Sequence, residues 1–466
     1  MEGALPLVDR EAWAVDQFGT AELGDVRRTH RLVKLAAQMA ANSSGSIPQQ
    51  TQSAADMKAA YRLLAAPPVT HAAVIQPHIE RTRAAASAIP MLFLVQDGAQ
   101  LNFTTHPHGQ GLGPIGDGEQ RGLYPQNVLA IDAATGLPVG LMYQTHPRRT
   151  EREPDRDRHA KRRVPLNEGE SYGWFEAIRT IGPPPEGVRW VPVGDGGEGL
   201  FGVHQECRVQ GADWLIRAAR DRTVRTPQGP DKLFEYARRL PRLGTRRVTV
   251  RNRVTGQTRE VVLSIAAGPV TLTPSIHEPA YRDSAPIWCG VVRAWEADPP
   301  DGVERVEWML LTSLPCQTAR QARFVAEGYS QRWQVEEFHK CEKTGCQVEA
   351  RRLEPVDRLE PLIGVLSVLA VHLLRLKLVA RDHPTQPAKE MFDEQMVAVM
   401  AAYLKRPARG LTVGEFWRGI GRLGGHPGRK CDGPIGWLRA WRGWQAFQLM
   451  MLGAELCAKK PSKKCG

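Results

Sequence analysis

The chain lacks most of the features that would tie it to a disulfide scaffold, a zinc site or a bilayer. Its eight cysteines (Cys207, Cys289, Cys316, Cys341, Cys346, Cys431, Cys457 and Cys465) include no CxxC pair and no zinc-like spacing with histidine, so reduced thiols are expected. No apolar run reaches the ~20 residues that cross a membrane. The longest, "LIGVLSVLAVHLL" from Leu362 to Leu374, reads as a buried helix. The amino-terminal "MEGALPLVDREAWAVDQFGT" has no charged-then-apolar signal pattern, which points to a cytoplasmic protein. A nucleotide-phosphate loop of the GxxxxGKS type is absent, as are internal repeats.

What is present is an ordinary globular balance with an excess of positive charge. The 466 residues are 42% hydrophobic and 24% charged, enough for about two or three domains with real cores. Lys plus Arg number 62 against 50 Asp plus Glu, a formal charge of +12 that favours a polyanionic partner. Charge alone does not separate nucleic acid from an acidic membrane surface.

The first segment, from about Ala12 to Ala66, is helical in pattern. In "LGDVRRTHRLVKLAAQMA" the apolar stripe is Leu32, Leu35, Ala36 and Met39, and Arg27, Arg31 and Lys34 gather on another side. That basic side is either a solvated face or a DNA-contacting one. Pro67 and Pro68 mark a boundary. Short strand-like runs follow: "MLFLVQD" ending in Asp97, a hairpin of "NVLAID" and "VGLMYQT", the helix "GESYGWFEAIRTIG", "VRWVPVGD" ending in Asp195, and "DWLIRAARD". "HPRRTEREPDRDRHAKRRVP" reads as a mobile surface loop. From Thr223 to Leu314 the texture is Arg-rich and alternating, a β-rich insertion with a turn at "TG" in "RRVTVRNRVTGQTREVVLSI". Beyond Leu353 the chain turns helical again, with "RDHPTQPAKE" as a linker. A last helix from Trp437 carries the stripe Trp437, Trp441, Trp444 and Met451, either internal packing or a dimer seam, and "KKPSKK" is a basic tail.

Residues 329–345, "YSQRWQVEEFHKCEKTG", hold no proline and close on a glycine, so they predict one helix stopping at Gly345. At about 100° per residue, Tyr329, Arg332, Glu336 and Lys343 share a sector of about 60°. Such a face is a row of solvated ion pairs or a catalytic surface. Acids just past the carboxyl ends of strands sit where α/β sheets build active sites, and Asp97 and Asp195 occupy such places. Taken singly, each also fits a turn or a helix cap. With Glu336 they would supply the oxygen ligands that magnesium or manganese prefers, and in a basic protein that combination points to phosphodiester chemistry. Asp132 is assigned to its hairpin turn, and His106 and His108 are not assigned to a metal.

These residues carry a resemblance. "YSQRWQVEEFHKCEKTG" contains Y-x2-R-x3-E-x6-K and resembles the signature of bacterial insertion-sequence DDE transposases of the insertion sequence four family. "LGDVRRTHRLVKLAAQ", "QDGAQLNF", "GDGGEGLF", "EWMLLTS" and "GWLRAWRGWQAF" extend the likeness over nearly the whole chain. It implies an α/β ribonuclease H-like catalytic core at 69–377 interrupted by a β-rich insertion at about 223–314. A helical DNA-end-binding domain at 1–68 and a helical dimerisation domain at 378–466 would flank it. Asp97, Asp195 and Glu336 would hold Mg2+, with Mn2+ able to substitute, while Tyr329, Arg332 and Lys343 would grip phosphates near the cut. Trp308 would stack on a base turned out of the duplex; Arg28 and Arg31, with Arg27 beside them, would read the transposon end. The implied activity is cut-and-paste transposition through a hairpin intermediate, by a homodimer in the bacterial cytoplasm without membrane attachment. The sequence departs from the family pattern after Asp195, where "GGE" stands in place of an arginine-containing stretch. Three other readings are weighed: a nuclease that cuts without joining, a DNA-binding repressor descended from a transposase, and a membrane-surface protein, which predicts neither the three acids nor the signature face.

Overall fold

A computed structural model describes residues 9–106, 109–116, 118–148, 172–195, 201–251, 258–274, 278–429 and 432–458. It opens with four helices, α1 (Arg10–Phe18), α2 (Val26–Ala41), α3 (Ile47–Gln50) and α4 (Ala54–Leu64), followed by α5 (His71–Ala86). Their starts are written in the sequence: Asp9, Asp25, Ser53 and Thr70 each accept a backbone N–H of the first turn. Leu32, Leu35, Ala36 and Met39 are buried as the periodicity requires.

The strand β1 (Met91–Gly98) is covered on both faces. A small side sheet of β2 (Leu101–Asn102), β3 (Gly113–Ile115) and β4 (Gln120–Leu123) follows it, then the hairpin β5 (Gln126–Asp132) and β6 (Pro138–Thr145). Asp132 serves that turn, accepting from the Ala134 N–H and the Thr135 hydroxyl. After α6 (Tyr172–Ile181) come β7 (Arg189–Gly194), the helix α7 (Phe201–Val209), and β8 (Leu215–Arg217). The sequence pattern did not predict α7, and "DWLIRAARD" yields only a three-residue strand. The β-rich segment comprises β9 (Thr223–Thr226), β10 (Gly229–Lys232), the short helix α8 (Leu233–Arg239), β11 (Arg242–Arg251), β12 (Thr258–Leu272), β13 (Ile287–Glu296) and β14 (Glu307–Thr312). The helical remainder is α9 (Ala319–Ser330), α10 (Trp333–Lys340), α11 (Val356–Asp382), α12 (Glu394–Leu404), α13 (Val413–Leu423) and α14 (Trp437–Ala458).

The strands join in one sheet of order β10-β9-β12-β13-β14-β8-β7-β1-β5-β6, with β11 on β12. Within it β1 is antiparallel to β5 and parallel to β7, and β7 is parallel to β8, a mixed arrangement compatible with the ribonuclease H-like core that the resemblance implies. The β-rich segment adds its strands to the β8 edge through β14. One apolar cluster runs from Trp13 through α11 to Met451. α11 is the one described helix long and apolar enough to cross a membrane, yet 89% of that stretch is buried inside the protein, as expected for a core helix. Among the described residues the cysteines are free, five of them buried and Cys457 exposed.

One expectation is corrected and one open reading is decided. Residues 329–345 do not form one regular helix. The Ser330 hydroxyl bonds back to the Glu327 carbonyl, and the N–H groups of Gln331 and Arg332 reach only three residues back, so the ladder tightens between α9 and α10. It then widens into a π turn over Cys341–Gly345. Of the two readings open for the stripe of Trp437, Trp441, Trp444 and Met451, internal packing holds, because all four are buried in the protein's own core. The charged stretch beyond Arg148, the turn at Thr255 and Gly256, the "GGE" segment, His108 and the basic tail lie outside the described residues.

Candidate active site

Parallel pairing sets the first two acids side by side. β1 and β7 run in register up to Val95 opposite Val193, and Asp97 and Asp195 lie two positions further on. They therefore leave the sheet on the same face and at the same end. Each has a glycine beside it for a steric reason: a Cβ on Gly98 would stand 2.7 Å from the Tyr124 ring, and one on Gly194 would stand 2.3 Å from the Trp174 ring. Close aromatic packing thus fixes the backbone next to both carboxylates.

The third acid comes from α10. In the tightened turn before it, residues three apart eclipse, which stacks Arg332 over Tyr329 and aims the guanidinium at the strand ends. Arg332 Nη1 lies 3.3 Å from Asp97 Oδ2, and Nη2 lies 3.7 Å from Asp195 Oδ2 and 2.7 Å from Glu336 Oε1. One side chain, 4% exposed, thus gathers all three carboxylates. Arg217 adds a second contact to Asp195, at 3.5 Å.

The electrostatics follow from crowding in a poorly solvated place. Burial pushes the Asp97 carboxyl up to about 6; Arg332 pulls it back, while Glu336 and Asp195 raise it further. For Arg332, burial works against the charge, but Tyr329, Asp195, Glu336 and Asp97 outweigh it and hold the guanidinium protonated. Burial also raises the Tyr329 phenol, which sits against Asp195, Arg332 and Arg217. Arg332 Nε has no hydrogen-bond partner among the described residues.

Among the described residues no three Asp, Glu, His or Cys side chains close on one point as a ready metal cage. The reason is visible: a guanidinium stands between the carboxylates. The donor set still suits a hard divalent cation, because three carboxylates converge where their mutual repulsion calls for a positive partner.

Lys343 is separated from this cluster. The π turn carries it to a cleft of about 790 Å³, which it lines with Asn102, Thr105, Arg352, Trp441 and Arg442, and its Nζ is 3.5 Å from Glu349 Oε1. The face expected from spacing therefore splits, with Tyr329, Arg332 and Glu336 at the strand ends and Lys343 in the cleft. Trp308 is 9% exposed and meets the Tyr329 ring edge-on at 5.2 Å.

The basic helix near the amino end is similarly differentiated. Arg27 is 89% exposed, Arg31 pairs with Asp56 at 2.9 Å, and Arg28 donates to the Leu23 carbonyl.

Two family models match the chain. One, described as transposase DNA-binding, covers residues 10–69, the four amino-terminal helices; the other, described as a transposase DDE domain, covers residues 191–371. Together they span more than half of the sequence. The chain is a DDE transposase. Its DDE match takes in Asp195 and Glu336 and begins after Asp97, which only the sheet register brings to them. A DDE transposase is a metal-dependent nuclease and strand transferase that acts on DNA, so divalent ions and DNA are its required partners.

One site residue escaped the sequence reading. Arg217 ends the three-residue β8, too short for its alternation to show, and only the parallel pairing of β7 with β8 carries it to Asp195.

Proposed function

We propose that this transposase works by a cut-and-paste route and belongs to the insertion sequence four family with the Tyr–Arg–Glu–Lys signature. Residues 1–68 bind the element's ends, 69–377 perform the chemistry, with about 223–314 inserted into that core, and 378–466 pair two copies. The observation that carries the reading is the convergence of Asp97, Asp195 and Glu336 on one cation, in a chain whose first helices match a transposase DNA-binding domain.

Asp97, Asp195 and Glu336 hold Mg2+, with Mn2+ able to substitute. A divalent ion held by these three carboxylates would supply the positive charge that an in-line displacement at phosphorus needs. Arg332 turns its guanidinium from the carboxylates to a phosphate of the incoming strand, a planar donor fork suited to that group. The Tyr329 hydroxyl adds a neutral hydrogen bond, and Lys343 takes a phosphate further along, in the cleft it shares with Arg352 and Arg442. Arg27, Arg28 and Arg31 contact the end sequence. Water attacks first and frees a 3′ hydroxyl; that hydroxyl attacks the opposite strand to give a hairpin, which is reopened before joining to target DNA. Trp308 stacks on a base displaced at the hairpin and must leave its edge-on contact with Tyr329 to do so.

The pairing surface differs from the one the tryptophans suggested. Leu449, Leu452 and Leu456 are exposed on α14 at helical spacing, and this face supports the homodimer.

Joining separates this reading from a simple nuclease. Duplexes bearing the element's termini with pre-cut 3′ hydroxyls, incubated with the protein, Mg2+ and target DNA, should yield joined products. Cutting of uncut ends with no joining of pre-cut ones would leave the nuclease reading standing.

A further inference from the structure

A chain of buried amides, hydroxyls and imidazoles lies beneath the active site, and the mechanism does not use it. Asn127, fully buried on β5, stands opposite Asp97 in the β1–β5 register. Its Nδ2 donates to His339 Nε2 at 2.9 Å, and its Oδ1 accepts from Gln144 Nε2 at 2.7 Å, which fixes the amide's orientation. His339 follows Glu336 by three residues on α10, one turn along the same side. Gln144 also donates to the Ser367 hydroxyl at 3.0 Å, and its Oε1 faces His71 Nε2 at 2.9 Å. Ser367 lies 2.6 Å from Glu342 Oε1. The network joins β5, β6, α5, α10, the π turn and α11.

We propose that Asn127 and His339 are positioning residues whose hydrogen bond holds the Glu336 helix at a fixed height over the strand pair that carries Asp97. Three observations support this. The bond joins the residue opposite one acid to a residue one turn from another, so it spans the gap that the carboxylate spacing depends on. It is specific in register: sliding α10 by one residue would leave a buried amide donor without its acceptor, which is costly away from water. Finally, burial together with Lys343, Arg332 and Lys340 pushes the His339 imidazole down to about 3, so it is a neutral acceptor at working pH.

The inference rests on the assignment of Asp97 and Glu336 as metal-holding groups. It is tested on the full chain by calorimetric titration with MnCl2 alone, beside metal-free thermal unfolding. His339→Leu and Asn127→Leu should weaken Mn2+ binding about 10- to 100-fold, as loss of groups that orient metal ligands does. His339→Gln, whose amide oxygen can accept in place of Nε2, should keep the wild-type affinity, and each variant should still unfold in a sharp transition. Wild-type affinity in the leucine variants, or a glutamine variant as weak as the leucine one, would overturn the proposal. Should His339→Leu fail to fold, Asn127→Ser carries the test: weakened binding supports the positioning role and unchanged binding removes it. Asp97→Ala is the control. If Mn2+ binding survives it, the metal assignment itself fails; if binding is lost there but intact in the leucine variants, only the positioning role fails.

Discussion

A guanidinium among three carboxylates offsets part of their mutual repulsion. Removing Arg332 leaves Asp97, Asp195 and Glu336 facing one another in a poorly solvated place, so Arg332→Gln should lower the metal-free stability by about 3 kcal/mol, the scale for breaking a buried ion pair. Added Mn2+ should restore much of that loss, because the ion replaces the missing cation. Thermal unfolding with and without Mn2+ checks both halves, and equal losses in the two conditions would mean that the ion binds elsewhere. The three arginines of α2 should also part company. Arg27→Ala should flatten the salt dependence of end binding, since its side chain is exposed and its ion pair with Asp25 at 3.4 Å is a surface one, whereas Arg28→Ala should in addition cost stability by removing the donor to Leu23. The three acids were legible in the sequence, because strand-end and helix positions follow from local pattern. The ion pairs around them were not, since Arg217 and Asp56 are brought in by long-range packing.

Between elements, the signature helix is fastened to the carboxyl-terminal helices through Glu337. Its carboxylate pairs with Lys377 of α11 and accepts from Trp437 Nε1 of α14 at 2.9 Å, and the Lys377 ammonium lies 4.4 Å from the centre of the Trp437 ring. Burial raises the Glu337 carboxyl, but Lys377 and Lys340 more than reverse this and bring it down to about 2, against an ordinary 4.5. A depressed folded value means that the stabilisation is complete above pH 4.5 and is lost as the pH falls through about 2. Glu337→Gln should therefore cost about 2 kcal/mol near neutrality, the scale of a charged hydrogen bond, and the gap from wild type should close as acid is added. Melting temperatures from pH 7 to pH 2 give the measurement; a gap that stays constant would deny the charge a role. Element by element, most of this architecture could be read in advance. β1, β5, β6 and β7 are short apolar runs bounded by turn signals, α11 is a long unbroken apolar run, and α14 carries its tryptophans at helical spacing. What was illegible was the interruption at Gln331, because a tight turn followed by a π turn uses residues that all favour helix, and only tertiary contacts at Arg332 choose it.

Across the whole molecule, the β-rich segment extends the sheet that carries Asp97 and Asp195, and the amino-terminal helices matched to a DNA-binding domain share their core with α11. The sequence showed a change of texture at Thr223 but not that β14 would pair with β8, since pairing over that distance in sequence has no local signal. Assembly is the remaining level. Replacing Leu449, Leu452 and Leu456 together with aspartate should leave the melting temperature nearly unchanged, because the side chains are exposed, while abolishing the complex of two ends seen in native gels. Paired-end complexes at wild-type levels would move the dimer surface elsewhere. The most direct measurement of the central claim is cleavage of labelled duplexes carrying the element's termini, by wild type and by Asp97→Ala, Asp195→Ala and Glu336→Ala, with Mg2+ and with chelator. Nicks at the element boundary that need Mg2+ and vanish in all three variants, while end binding persists, are the predicted result. Boundary cleavage that survives chelation, or that any one of the three variants performs at the wild-type rate, would contradict it.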